Sequence, residues 1–171
     1  NGDRYITCLN ADLALSDPEY IVATPRGNWT GKTKGGLILS KDCGSTWERL
    51  PMPRGLSEFI DQKLDNIEKP NVDSGWTAIS ADGKRIMWAV AGGRGFSNKA
   101  VCYTDDEGKT WQKSIFTDSS GNSADEHNVK IFSDYYNSDL FFAIAERENL
   151  GLYISRDKGA TFRRSVHKNG Q

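Results

Sequence analysis

Three carboxylates in this chain sit in the same octapeptide, which makes them the first candidates for chemistry. Ser40-Lys41-Asp42-Cys43-Gly44-Ser45-Thr46-Trp47 is repeated as Thr104-Asp105-Asp106-Glu107-Gly108-Lys109-Thr110-Trp111 and again as Ser155-Arg156-Asp157-Lys158-Gly159-Ala160-Thr161-Phe162. Asp42, Asp106 and Asp157 have the chemistry of general acids or of cation ligands. A calcium loop, however, needs acidic side chains at alternating positions and a distal Glu, and none of the three octapeptides supplies that set. The spacing fits local work better. An Asp in such a turn accepts hydrogen bonds from its own backbone N–H groups. Gly44, Gly108 and Gly159 fall where the chain needs a positive φ. Trp47, Trp111 and Phe162 then open the next strand and bury a large ring between neighbouring sheets. The repeats are expected to build the fold.

A second set of residues has the chemistry of ligand binding. Trp29, between Asn28 and Thr30 and flanked by glycines, has no amphipathic strand around it to explain its burial. Trp29, Trp76 and Phe96 offer flat faces on which sugar rings stack, and Arg26 and Arg94 can hydrogen-bond hydroxyls. His127, in Asp125-Glu126-His127, joins them as a loop residue. Catalytic residues stay unassigned. A glycosidase needs two carboxylates about 5–9.5 Å apart, and no pair is marked. His127 and His167 are too few for a zinc site, so no metal and no cofactor is expected. Gly92-Gly93-Arg94-Gly95 is not a phosphate loop, and no nucleophile elbow occurs.

Composition narrows the classes further. The chain has 171 residues, with 22 Lys and Arg against 23 Asp and Glu. That balance gives no electrostatic reason to bind nucleic acid or an anionic membrane. No run reaches the ~18 apolar residues of a membrane span, and 11% aromatic content argues against disorder. Three cysteines, Cys8, Cys43 and Cys102, are odd in number and widely spaced; they read as buried or half-buried thiols, with one disulfide as the alternative. Asn28-Trp29-Thr30 is a formal glycosylation sequon.

The elements that must hold these residues are short strands in groups of four. The first group is Tyr5–Leu9, Tyr20–Thr24, Gly36–Ser40 and Thr46–Leu50, with a turn at Ser16–Glu19. The second is Trp76–Ile79, Arg85–Val90, Ala100–Tyr103 and Thr110–Lys113; the third is Val129–Phe132, Leu140–Ala145, Gly151–Ile154 and Thr161–Arg164. A short helix or turn is expected near Leu56–Ile67. The fold class is all-β: about three four-stranded antiparallel β-propeller blades, near residues 1–52, 74–116 and 128–166 of a partial propeller spanning 1–171. Three blades do not close a ring. The expectation is therefore a larger propeller, completed by remaining blades of the same parent protein or by other copies of the chain. The repeats belong on one face of the disc, and the binding loops on the other.

The octapeptide resembles the Asp-box, or BNR repeat, of many β-propellers. Beyond it, Ser80-Ala81-Asp82-Gly83-Lys84-Arg85-Ile86-Met87-Trp88, Ser133-Asp134-Tyr135-Tyr136-Asn137 and Phe141-Phe142-Ala143 are similar to blades of glycoside hydrolase family 74, a family of seven-bladed propellers. The resemblance implies a secreted or extracellular protein acting on a polysaccharide or oligosaccharide, xyloglucan or a related β-glucan, by inversion with two Asp residues. Neither of the motifs that carry those Asp residues is matched here, and the Pro51–Gly75 segment departs from the family. Three rivals stand beside this reading. A sialidase-like exoglycosidase would need an arginine triad and a Tyr-Glu pair. A sortilin-like propeller would bind protein, and a noncatalytic propeller would bind glycan alone or nothing.

Overall fold

A computed structural model describes residues 8–25, 36–52, 72–92, 100–124, 129–145 and 150–166. All regular structure among these residues is strand. The first sheet has β1 (Cys8–Ala14), β2 (Asp17–Pro25), β3 (Ile38–Ser40) and β4 (Glu48–Arg49) in sequential order. The second has β5 (Val72–Ile79), β6 (Ile86–Gly92), β7 (Val101–Thr104) and β8 (Gln112–Lys113), again in order. After β9 (Ile115–Thr117), the third sheet has β10 (Val129–Ser133), β11 (Phe141–Ala145), β12 (Gly151–Ser155) and β13 (Thr161–Arg164). The first strands of the sheets, β1, β5 and β10, pack side by side. The sheets therefore radiate from a shared inner edge, as propeller blades do.

Side-chain periodicity explains why they stack. The β6 run Ile-Met-Trp-Ala-Val is apolar throughout, the signature of a strand covered on both faces. Ile86, Trp88 and Val90 pack with Val22, Leu37 and Leu39 of the first sheet. Met87 and Ala89 point the other way, with Val101 and Tyr103, into a core shared with Phe141, Ala143, Tyr153 and Phe162. Successive residues of a strand face opposite ways, so one continuous apolar run serves two interfaces. The fourth strands of the first two sheets, β4 and β8, are short, exposed and charged, which protects those outer edges from pairing with other chains.

The structure departs from the sequence reading at β1, at β9 and at β5, which begins at Val72 and not at Trp76. β1 covers Cys8–Ala14, running five residues past the expected end at Leu9, while Tyr5, Ile6 and Thr7 lie outside the described residues; the turn is Leu15–Ser16, closed by the pairing of Ala14 with Asp17. Pro18 is accommodated near the start of β2, where a missing N–H is tolerated. The third sheet has five strands because β9 adds to it in parallel, pairing Ile115, Phe116 and Thr117 with Thr161, Phe162 and Arg163. This addition stacks Phe116 on Phe162, with ring centroids 4.7 Å apart. The segment near Leu56–Ile67 lies outside the described residues.

Candidate functional site

The three octapeptides form near-identical corners. Asp42 Oδ1 accepts from the Thr46 N–H at 2.8 Å and from the Ser40 hydroxyl at 2.8 Å, and Asp42 Oδ2 accepts from the Thr46 hydroxyl at 2.6 Å. Asp106 repeats this with Thr110 and Thr104, and Asp157 accepts from the Thr161 N–H and the Ser155 hydroxyl. The hydroxyls of Ser40, Thr104 and Ser155 in turn accept from the N–H of the box glycine. Gly44, Gly108 and Gly159 have φ of 82°, 84° and 79°, and the residue before each, Cys43, Glu107 or Lys158, is also left-handed. Two successive positive-φ residues give the tight reversal of a type I′ hairpin. Bonds from Thr46 hold Asp42 below the usual carboxylate range, and bonds from Thr110 do the same for Asp106. Burial raises Asp157, but the Ser155 and Thr161 bonds outweigh it, and its net shift is also downward. These carboxylates are occupied in their own turns. Among the described residues no three His, Cys, Asp or Glu side chains converge to hold a metal ion.

The boxes share a face with the first hairpin of each sheet. Ser16 N–H donates to Ala81 O at 3.1 Å, and Asp82 N–H donates to Ser138 Oγ at 3.0 Å, so the hairpins link from sheet to sheet. A cleft of about 510 Å³ opens there between Tyr20, Arg85, Asp105 and Glu107. Its polar groups are engaged with one another. Tyr20 donates to Glu107 at 2.9 Å, Lys41 Nζ lies 2.7 Å from Glu107, and Arg85 pairs with Asp105.

A cluster of aromatic and polar side chains gathers instead on the inner strands. A bulge in β5 at residues 74–75, with Gly75 at φ 71°, sets the register of Trp76. The Gly75 carbonyl accepts from Thr24 Oγ1 of the first sheet at 3.1 Å. Trp76 is half-buried. Its ring lies 5.9 Å from that of Phe132 on β10, and Lys130 Nζ sits 5.4 Å from the indole centroid. Asn10, Trp76 and Lys130 occupy equivalent register positions in the three inner strands. Asn10 Oδ1 accepts from Thr77 N–H at 2.6 Å. Asp12, one step nearer the boxes, joins all three sheets: it accepts from Leu13 N–H, from Ile79 N–H at 3.0 Å and from the Ser133 hydroxyl at 2.8 Å. Burial nonetheless pushes the Asp12 carboxyl above its ordinary range.

Of the residues singled out in the sequence for binding, Trp76 is within the described structure, on β5. Arg26, Trp29, Arg94, Phe96 and His127 lie outside the described residues, as does Asn28. Sequence reasoning missed Lys130, Phe132 and Asp12. The alternation in Val129-Lys130-Ile131-Phe132 did carry a signal, because it puts Lys130 and Phe132 together on the face opposite Val129 and Ile131. Asp12 carried none, since the first strand was expected to end before it. Cys43 and Cys102 are free thiols, the first exposed and the second buried.

Radiating sheets of four or five strands, whose third and fourth blade strands are joined by one recurring Asp-x-Gly-x-Thr corner, define an Asp-box β-propeller fold. Residues 103–113 match the BNR/Asp-box repeat. Similar in fold is a GH74 enzyme from Niastella koreensis, at 19% identity over 99% of this chain and 19% of that one, with a TM-score of 0.63. So is the GH74 xyloglucanase from Xanthomonas campestris, at 19% identity over 99% of this chain and 21% of that one, TM-score 0.60. YCF48 from Cyanidioschyzon merolae aligns at 12% identity over 98% of this chain and 39% of that one, TM-score 0.52. The chain thus spans about a fifth of the length of the two GH74 proteins. No curated protein sequence matches it.

Proposed function

We propose that this chain is part of a secreted, carbohydrate-active Asp-box propeller, a glycoside hydrolase acting on xyloglucan or a related β-glucan. In this reading Trp76 is a sugar platform, and Arg26, Trp29, Arg94, Phe96 and His127 bind the same substrate. The blades fall near residues 1–52, 74–116 and 128–166. The observation that carries the reading is the cluster of Trp76, Phe132 and Lys130 on adjacent inner strands. An indole face beside a second ring and a cationic donor matches the flat apolar side and the hydroxyl rim of a pyranose. The catalytic carboxylate pair is left unassigned. The resemblance to GH74 blades in sequence and fold supports the substrate class.

The test is calorimetric titration of xyloglucan oligosaccharides into the chain. Trp76→Ala is expected to weaken binding about tenfold, the ~1.4 kcal/mol of a lost ring stack, while Trp76→Phe retains most of it. Absence of binding to any β-glucan in a panel would remove the reading. A second reading is a peptide-binding propeller, since a similar fold (15% identity, TM-score 0.50) is that of YCF48 bound to D1 peptide. Affinity for an extended peptide with none for glycans would select it.

A further inference from the structure

The β5–β6 and β10–β11 turns close with the same bond and differ in what they carry. Ser80 N–H donates to Arg85 O at 2.9 Å, and Asp134 N–H donates to Leu140 O at 3.0 Å. The second of these turns is longer, and it sets Tyr135 and Tyr136 side by side on the Asp-box face. Tyr136 is 90% exposed and Tyr135 is 52% exposed. Among the described residues neither phenol has a hydrogen-bond partner and neither ring a ring contact. Two large aromatic side chains therefore stand in water with no part in holding the fold.

The rest of the turn holds them still. Asp134 Oδ1 accepts from the Tyr136 N–H at 2.8 Å and from the Asn137 N–H at 2.9 Å. Asn137 Oδ1 accepts from the Asp139 N–H at 3.0 Å, and Leu140 N–H donates to Asn137 O at 3.1 Å. The far end of the turn is tied to two neighbours. Ser138 Oγ accepts from the Asp82 N–H at 3.0 Å, and Asp139 O accepts from the Lys158 N–H of the third box at 3.0 Å. A turn bonded internally and anchored on both sides loses little freedom when a ligand settles on it, and a tyrosine has few torsions to fix.

The surroundings select the ligand. A protein hot spot sets its aromatic anchor inside a rim of contacts that excludes water; the side chains beside these rings are the polar Asp134, Asn137, Ser138 and Asp139. Residues 134–140 include two carboxylates and no cation, and the Lys158 ammonium that approaches them lies 3.7 Å from Asp139. That excess of negative charge repels the phosphates of a nucleic acid and the carboxylates of a uronate chain. An uncharged pyranose suits both features, with its C–H face on a phenol ring and its hydroxyls donating to carboxylate and amide oxygens. We infer that Tyr135 and Tyr136 form a second glycan-binding site, for an uncharged polysaccharide chain, past the end of β10 from the Trp76 cluster. Its ligand class rests on the carbohydrate reading proposed above; its place in the fold does not.

The test runs the 171-residue chain and its variants through native gels cast with xyloglucan, with polygalacturonate or with no polymer. Trp76→Ala removes the inner platform, and the chain is still expected to be retarded by xyloglucan. Adding Tyr135→Ala and Tyr136→Ala should weaken that remaining binding about tenfold, the loss of a ring stack, while Tyr135→Phe with Tyr136→Phe keeps most of it. Both side chains are exposed, so the melting temperature should not move. Nitration of Tyr136, followed by peptide mapping, should slow when xyloglucan oligosaccharide is present. Retardation of the parent that is lost with Trp76→Ala alone, or that survives removal of both tyrosines unchanged, would overturn the inference and leave the Trp76 reading standing. Tyrosine-dependent retardation as strong in polygalacturonate would overturn the uncharged class. A parent chain retarded by no uncharged β-glucan would remove the carbohydrate reading and this site with it.

Discussion

The first Asp-box and the later two have the same hydrogen bonds and different surroundings. A Cβ on Gly108 would lie 2.7 Å from the Pro51 carbonyl oxygen, and one on Gly159 would run into the Met87 thioether, both from the preceding sheet. A Cβ on Gly44 would meet only its own Trp47, at 3.4 Å. The aromatic residues differ in parallel. Phe162 is fully buried and stacked on Phe116, and Trp111 donates its indole N–H across to Pro51. Trp47 folds over its own turn and donates to Gly44 O at 2.9 Å. One motif therefore holds two roles. The Asp, the hydroxyls and the positive φ make the corner; the glycine surface and the aromatic ring receive a neighbour.

If the two roles are separate, the largest effect should come from the ring that has a neighbour. Phe162→Ala is expected to cost about 3–5 kcal/mol in denaturant unfolding, and Trp47→Ala less than about 2 kcal/mol. Equal costs would break the distinction. Next come the glycines. Gly108→Ala should cost about 2–4 kcal/mol, since a left-handed backbone and a carbonyl contact both oppose it; Gly44→Ala should cost about 1 kcal/mol for the backbone alone.

The inner strands give a third, smaller contrast. Asp12→Ala leaves the Ile79 and Leu13 N–H groups without their acceptor and is expected to cost about 1–3 kcal/mol. Asp12→Asn keeps an acceptor. Because the folded state holds Asp12 above its ordinary range, its favourable contribution is full below the unfolded value and is lost as pH rises through the folded one. Relative to the parent, Asp12→Asn should therefore gain stability between acid and neutral pH in thermal melts. The box carboxylates run the other way. Asp106 is lowered by its Thr110 bonds, so its contribution is present above the ordinary carboxylate range and lost as pH falls through the lowered value. Asp106→Asn should flatten the acid limb of the stability curve. A steeper limb would show that the box carboxylate does not hold the corner.

The boxes were legible in the sequence because a corner is local: every donor to Asp42 comes from within four residues of it. The radiating sheets were legible too, because one apolar run in β6 has to satisfy two cores. What joins sheet to sheet was not. The bond from Ile79 N–H to Asp12 crosses 67 residues, and that from Ser133 to Asp12 crosses 121; neither leaves a trace in spacing. β9 was hidden because Ile115-Phe116-Thr117 follows directly on a fourth strand and reads as its continuation. Trp76 was picked out for its type, but its partners Phe132 and Lys130 come from another sheet.

The strand Ile86–Gly92 has consequences for how this chain is made. With side chains buried to both left and right, its sheet has no side to show to water until both flanking sheets exist. During synthesis the middle sheet therefore waits, half-clad, for the residues up to Phe162, and a ribosome stalled before that point would carry a nascent chain with a sticky flank. The same strand that welds the assembly together is the one most in need of a chaperone on the way there.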